Sequence, residues 1–113
     1  VPFWSYLASY NYGTPVLGMF HASDILMAYG ITPGFASSSI QAYYVSFINE
    51  LYPNAGSLGL TKWPQWKEGK QLLNLKSLSN TPLTDDFRSQ SYDVLASSMA
   101  SLHFQFICIN GYW

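Results

Sequence analysis

The chain has 113 residues, 10% of them charged and 49% hydrophobic, with a formal net charge of −1 at pH 7. That length holds one small domain, and five Lys and Arg scattered between Lys62 and Arg88 offer no basic field for nucleic acid. No apolar run approaches the ~20 residues of a membrane-spanning helix, the start Val1-Pro2-Phe3-Trp4 lacks the pattern of a signal peptide, and the single Cys108 permits neither an internal disulfide nor a cysteine-based metal site.

About a quarter of a typical globular domain is charged. A chain this small, less than half as charged and 18% aromatic, is expected to keep part of its surface against a partner, the alternative being a complete but unusually apolar small protein.

In chain order, the aromatics Phe3, Trp4, Tyr6, Tyr10 and Tyr12 come first, as packing against a sheet or as the lining of a pocket. Val16-Leu17-Gly18-Met19-Phe20, bounded by Gly13-Thr14-Pro15 and Ala22-Ser23-Asp24, has the pattern of a short buried strand, although an interior glycine weakens a strand. This strand would deliver His21 into a small polar turn, and in α/β enzymes ligands bind beyond the carboxyl ends of strands. A histidine there is either a general base or a packed, hydrogen-bonded side chain. Ile25 to Gly30 is a short apolar stretch ended by glycine, and Met27, Tyr29, Ile31 and Phe35 are candidates for an acyl pocket or for ordinary burial.

A helix is expected from Ser39 to Tyr52, with Ile40, Tyr44, Phe47, Ile48 and Leu51 on its apolar face and Ser38 and Gln41 as a capping box. Pro53-Asn54-Ala55-Gly56 stops it. Ser57 to Lys70 reads as a loop whose Trp63 and Trp66 fold onto a larger domain or form a carbohydrate-stacking platform. Gln71 to Lys76 reads as an edge strand and Leu78 to Leu83 as a loop. A second helix is expected from Asp85 to Leu102, with Thr84 as N-cap, the two aspartates in its first turn, and Tyr92, Leu95, Met99 and Leu102 facing inward. Asp85 and Asp86 point in different directions on such a helix and make no metal site. Residues 103–113 form an aromatic, uncharged tail in which His103 has no chemical company.

His21, Ser23 and Asp24 are three residue types of a hydrolytic triad within four positions. A working triad draws its members from separate loops, so that the base reaches the nucleophile through one ring nitrogen and the carboxylate through the other. Ser23 and Asp24 are therefore expected to serve the local backbone. No Gly-x-Ser-x-Gly elbow occurs, since Ala55-Gly56-Ser57-Leu58-Gly59 has the wrong spacing.

The run Trp4-Ser5-Tyr6-Leu7 and Tyr12 to Asp24 resembles the segment around the catalytic histidine of type-B carboxylesterases and lipases, the fungal ones in particular. Their commoner wording is Gly-Thr-Phe-His-Gly-Ser-Asp, from which this chain departs at Met19 and Ala22. Ser39 to Phe47, Pro53 to Gly56, Trp63 to Trp66 and Thr84 to Arg88 continue the resemblance in the family's order, over about residues 3 to 102.

The resemblance implies an α/β fold, here a single partial domain over residues 1–113: the carboxy-terminal fragment of an α/β-hydrolase (strand, histidine loop, helix, edge strand, helix) with residues 103–113 as an atypical tail. It implies a carboxylic ester hydrolase, with His21 as the catalytic base. The nucleophilic serine, the acid and the oxyanion donors are expected upstream of Val1. The implied partners are the remainder of the hydrolase domain and a lipid or small carboxylic ester, with no nucleic acid, no transmembrane segment and no cofactor or metal. Secretion is implied by resemblance only, and the isolated chain is expected to be inactive. The alternative is a non-catalytic interaction module, or a truncated product, derived from a hydrolase.

Overall fold

The structure, a computed structural model, describes residues 1–56, 59–99 and 101. It has three strands, β1 (Tyr6–Ala8), β2 (Gln71–Leu75) and β3 (Asn80–Thr84), and three helices, α1 (Ser23–Ala28), α2 (Phe35–Glu50) and α3 (Ser89–Ser97). The strands form one mixed sheet in the order β1-β2-β3. β1 runs parallel to β2 with Leu7 opposite Asn74, and β2 antiparallel to β3 with Leu73 opposite Pro82. The parallel pair requires a crossover, which α1 and α2 supply. A helical crossover between parallel strands makes the fold α/β.

β2 is the centre of this sheet, not its edge. Its neighbours Leu72 and Leu73 are both buried, at 5% and 0% exposure, although successive side chains of a strand point to opposite faces. Burial on both faces is the mark of an interior strand. The stretch expected as a loop supplies the true edge, β3, where Pro82 is tolerated because an edge strand need not donate every amide.

The strand expected at Val16 to Phe20 does not form. Leu17 N–H donates to the Pro15 carbonyl at 2.9 Å and Gly18 N–H to the Thr14 carbonyl at 3.1 Å, folding the segment into tight turns. Val16 lies at φ 71 and is fully exposed, Leu17 and Phe20 are exposed as well, and among the described residues no strand pairs with any of them. The real strand is β1, a dozen residues earlier.

α1 ends in a Schellman motif: Ile31 N–H donates to the Leu26 carbonyl at 2.9 Å and Gly30 N–H to the Met27 carbonyl at 3.1 Å, with Gly30 at φ 70. A Cβ on Gly30 would also stand 2.7 Å from Gln41 Nε2, a flexible side-chain end that can shift, so it is the left-handed backbone that keeps glycine here. Ser37 Oγ donates to the Met27 carbonyl at 2.8 Å and Gln41 Nε2 to that of Ala28 at 3.3 Å, locking the end of α1 to α2.

α2 starts at Phe35, four residues earlier than expected, so Ser38 and Gln41 lie inside it and no side chain caps its N-terminus. Its buried face also differs from expectation, consisting of Ala36, Ser37, Ser39, Ile40, Tyr43 and Ser46. Of the apolar face read from the sequence only Ile40 is buried, while Phe47, Ile48 and Leu51 are exposed. The small residues allow close approach to α1 and the sheet, leaving the bulky side chains turned outward. α3 is shorter than expected, and Asp85 and Asp86 precede it with Arg88 at its N-cap position. None of its residues is buried, and Tyr92 and Leu95 are exposed. Leu102, His103 and Cys108 lie outside the described residues.

The core gathers Tyr10, Met27, Ile40, Tyr43, Trp63, Leu73 and Leu75. Trp63 is thus an anchor of this segment's own core. Asn54 Oδ1 accepts from Trp63 N–H at 2.7 Å and its Nδ2 donates to the Trp63 carbonyl at 3.0 Å, fastening the loop after α2. Trp66 stacks on Phe3 with ring centroids 5.1 Å apart, and its indole N–H donates to Asp85 Oδ2 at 2.7 Å.

Candidate active-site segment

His21 is exposed and sits at the second position of a turn closed by Ser23 N–H to the Phe20 carbonyl at 3.1 Å. The third position, Ala22, lies at φ 67, ψ 9. A turn whose third residue is left-handed favours glycine there, because a Cβ crowds the following carbonyl. The same Ala22 is the N-cap of α1 and makes no side-chain cap; its carbonyl accepts from Ile25 N–H at 3.1 Å. The histidine is therefore presented at the entrance to a helix, by a turn and not by a strand end.

Ser23 is buried at 2% exposure and Asp24 is half-buried, whereas His21 faces solvent. The three residue types adjacent in sequence do not share one open surface. Met27 belongs to the core, while Tyr29 and Ile31 are widely exposed, so the acyl-pocket candidates are not brought together.

Tyr10 packs in the core, as one of the two readings of the leading aromatics had it, but its hydroxyl was not anticipated. It is buried at 7%, and its hydroxyl has no hydrogen-bond partner among the described residues. Burial pushes its pKa above the ordinary tyrosine value; the neighbouring Ser23 hydroxyl opposes the shift, and the charge of Asp24 adds to it. A buried hydroxyl left unpaired costs about 1–3 kcal/mol. The burial of Tyr44, helped by the Tyr6 hydroxyl 3.4 Å away, raises its pKa still further.

An apolar groove of about 420 Å³ lies elsewhere, between Phe3, Trp4, Tyr44, Phe47, Ile48 and Trp63. The indole N–H of Trp4 is buried without a partner beside it. None of the groove's lining residues belongs to the His21 loop. Among the described residues no helix is long and apolar enough to cross a membrane.

No family model matches the chain. It is 51% identical over 105 residues to secreted lipase 1 of Botryotinia fuckeliana, a match covering 91% of this chain and 18% of that protein. It is 47% identical over 104 residues to a secreted triacylglycerol lipase of Gibberella zeae, covering 90% and 18% respectively. Lipase 1 of Geotrichum candidum is 39% identical over 87 residues, covering 75% of this chain and 15% of its own length. The chain thus spans less than a fifth of the length of the curated relatives it matches. With about half of its residues shared with these proteins across nine-tenths of its length, and its exposed histidine turn in the crossover between β1 and β2, the chain is homologous to one segment of the secreted fungal lipases.

Proposed function

We propose that this chain is the carboxy-terminal, histidine-bearing segment of a secreted carboxylic ester hydrolase with an α/β-hydrolase fold. The observation that carries the reading is the likeness to two secreted fungal lipases over nine-tenths of the chain, in the same stretch that presents His21 on an open turn. Residues 1–113 then form one partial domain. The exposed Phe47, Ile48 and Leu51 face of α2 and the free edge of β1 would be covered by the remainder of the hydrolase.

In this reading His21 is the general base. It takes the proton of a serine supplied from outside these 113 residues as that oxygen attacks the ester carbonyl, returns the proton to the leaving alcohol, and then activates water against the acyl-serine. The carboxylate that orients the imidazole and the amides that hold the oxyanion also come from outside. The substrate is a carboxylic ester, either an acylglycerol or a smaller ester.

Complementation tests this. The chain is co-expressed with the preceding part of a related lipase, and the complex is assayed with p-nitrophenyl butyrate and a serine-reactive fluorophosphonate. Turnover and labelling that require both pieces are expected. A complex that assembles but remains silent would instead favour the non-catalytic interaction module.

A further inference from the structure

The loop that carries His21 leaves the sheet at the carboxyl end of β1, beside the carboxyl end of the parallel strand β2. In α/β enzymes this end of the sheet holds the ligand. Ser9, the first residue after β1, is tied to β2 twice. Its N–H donates to the Leu75 carbonyl at 2.8 Å, and its Oγ donates to Asn74 Oδ1 at 2.5 Å. The Leu75 carbonyl also lies 3.4 Å from this Oγ, but a hydroxyl has one proton and Asn74 is the nearer acceptor. The Ser9 carbonyl accepts from Tyr12 N–H at 3.0 Å, so the same residue starts the first turn of the loop.

Met19 fastens the return arm. Its Sδ accepts from Asn11 N–H at 3.3 Å, and its side chain packs against the core. Asn11 and Met19 thereby close residues 12–18 into a side loop, which curls on itself through Thr14 N–H to the Asn11 carbonyl and Gly18 N–H to the Thr14 carbonyl, both at 3.1 Å. Tyr12, Val16 and Leu17 in that side loop are exposed. His21 follows two residues after Met19, in the turn whose Ala22 lies at φ 67. A non-glycine residue keeps that conformation where the surrounding structure imposes it. The turn is held from Met19 on one side and from Ser23, the first residue of α1, on the other.

We propose that Ser9 and Met19 are positioning residues for His21. Ser9 fixes the outgoing arm of the loop to β2 through Asn74, Met19 fixes the return arm to the outgoing one, and the tip between them is a spacer that takes no part in placing the imidazole. The catalytic consequence rests on the reading of His21 as the base, but the two ties do not.

The test uses the full 113-residue chain and amide exchange by mass spectrometry. Ser9→Ala and Met19→Ala should each speed exchange across residues 19–25 about fivefold while β2 amides keep their protection. Ser9→Thr, which keeps the hydroxyl, should restore the original rate, and Val16→Ala at the tip should not change it. Unchanged exchange in Met19→Ala or Ser9→Ala, or an equal rise in Val16→Ala, overturns the proposal. A crystal structure of the unsubstituted chain gives a readout independent of any variant's folding: a Ser9 Oγ to Asn74 Oδ1 separation of about 2.5–3.0 Å is expected, and one beyond about 3.5 Å sinks the first tie. In the complemented enzyme each alanine variant should lower kcat about tenfold with KM unchanged, as misplacement of a catalytic group does, and Ser9→Thr should recover it. A general loss of packing would instead move both constants and refute a positioning role. If the complement is silent even with the unsubstituted chain, the hydrolase reading fails while the exchange and crystallographic measurements still decide the two ties.

Discussion

The indole N–H of Trp63 donates to the carbonyl of Ser5 at 2.8 Å while its ring stands edge-on to Tyr43, centroids 5.3 Å apart. One side chain thereby joins the loop after α2, the entry to β1 and the most deeply buried residue of α2. Trp63→Ala should cost roughly 3–5 kcal/mol, as large core truncations do. Trp63→Phe keeps most of the apolar contact and removes one of the two hydrogen bonds to the Ser5 carbonyl, which still accepts from Leu73 N–H at 3.0 Å, for a loss of about 0.5–1.5 kcal/mol. Urea denaturation followed by far-UV circular dichroism measures both; a Trp63→Phe midpoint equal to that of the unsubstituted chain would show that the hydrogen bond contributes nothing.

A second prediction concerns association. Phe47 and Ile48 on α2, Leu51 at its C-cap, and Tyr92 and Leu95 on α3 are all exposed, more bulky apolar surface than a small soluble monomer usually carries. The chain alone should elute from size exclusion as an oligomer, with its slowest-exchanging amides in β2 and α2 and fast exchange throughout α3. A monodisperse monomer with α3 as protected as α2 would contradict the partial-domain reading.

Where local pattern and tertiary context agreed, the fold was legible. Gly30 ends the apolar stretch from Ile25 as read, although that stretch belongs to a helix the sequence reading did not assign, and Gln71 to Leu75 formed a strand because Leu72, Leu73 and Leu75 are apolar and bounded by turns. What failed depended on partners far along the chain. β1 is three residues long and becomes a strand only by pairing with residues 67 positions away, Tyr6 with Leu73 for one, which no local pattern reveals. Val16 to Phe20 is apolar enough for a strand, but Gly13, Pro15 and Gly18 are closely spaced turn formers, and their backbone preferences outweighed the apolar run. The face of α2 was misread because alanine and serine, not the bulky residues, make the close contact. At the site, the position of His21 in a polar turn was legible, but the burial of the Tyr10 hydroxyl was not, since only the folded chain encloses it.

Ala22 offers a third prediction. It departs from the glycine of the commoner family wording, and its φ of 67 is the conformation glycine tolerates. Ala22→Gly should therefore stabilise the chain, by about 1 kcal/mol, through relief of the left-handed strain. Ala42→Gly, inside α2, should destabilise by a similar amount because helix interiors disfavour glycine. Opposite shifts in thermal midpoint are expected, and a lower midpoint for Ala22→Gly would exclude strain at the turn.

Alkaline pH supplies a fourth. Burial raises the pKa of Tyr10, Tyr43 and Tyr44 above the ordinary value of 10.0. A folded-state pKa above the unfolded one means that the native state holds the proton more tightly, so this contribution is fully present below pH 10 and is lost as pH rises from there through the folded values. Tyrosinate absorbance should lag in part behind that of the urea-unfolded chain, and stability should fall once pH passes 10. Coincident titration curves for folded and unfolded chain would refute the burial of these hydroxyls.

The fifth prediction separates the two histidines. His21 lies on an exposed turn within the stretch shared with the secreted lipases, whereas His103, outside the described residues, has no chemical company in the sequence. In the complemented enzyme His21→Ala should lower turnover by several orders of magnitude, because a serine hydroxyl without a base is a weak nucleophile at neutral pH. Fluorophosphonate labelling should fall with it, since activation of the nucleophile is lost and not substrate binding alone. His103→Ala should leave both near normal. Each substitution removes one imidazole, so a general penalty for losing the ring would appear in both, while a general base singles out one. Circular dichroism on the two variants controls for folding, and the open position of His21 makes a large stability loss from its truncation unexpected. Near-normal turnover and labelling in His21→Ala would return this residue to the role of a solvent-facing turn histidine and place the base elsewhere.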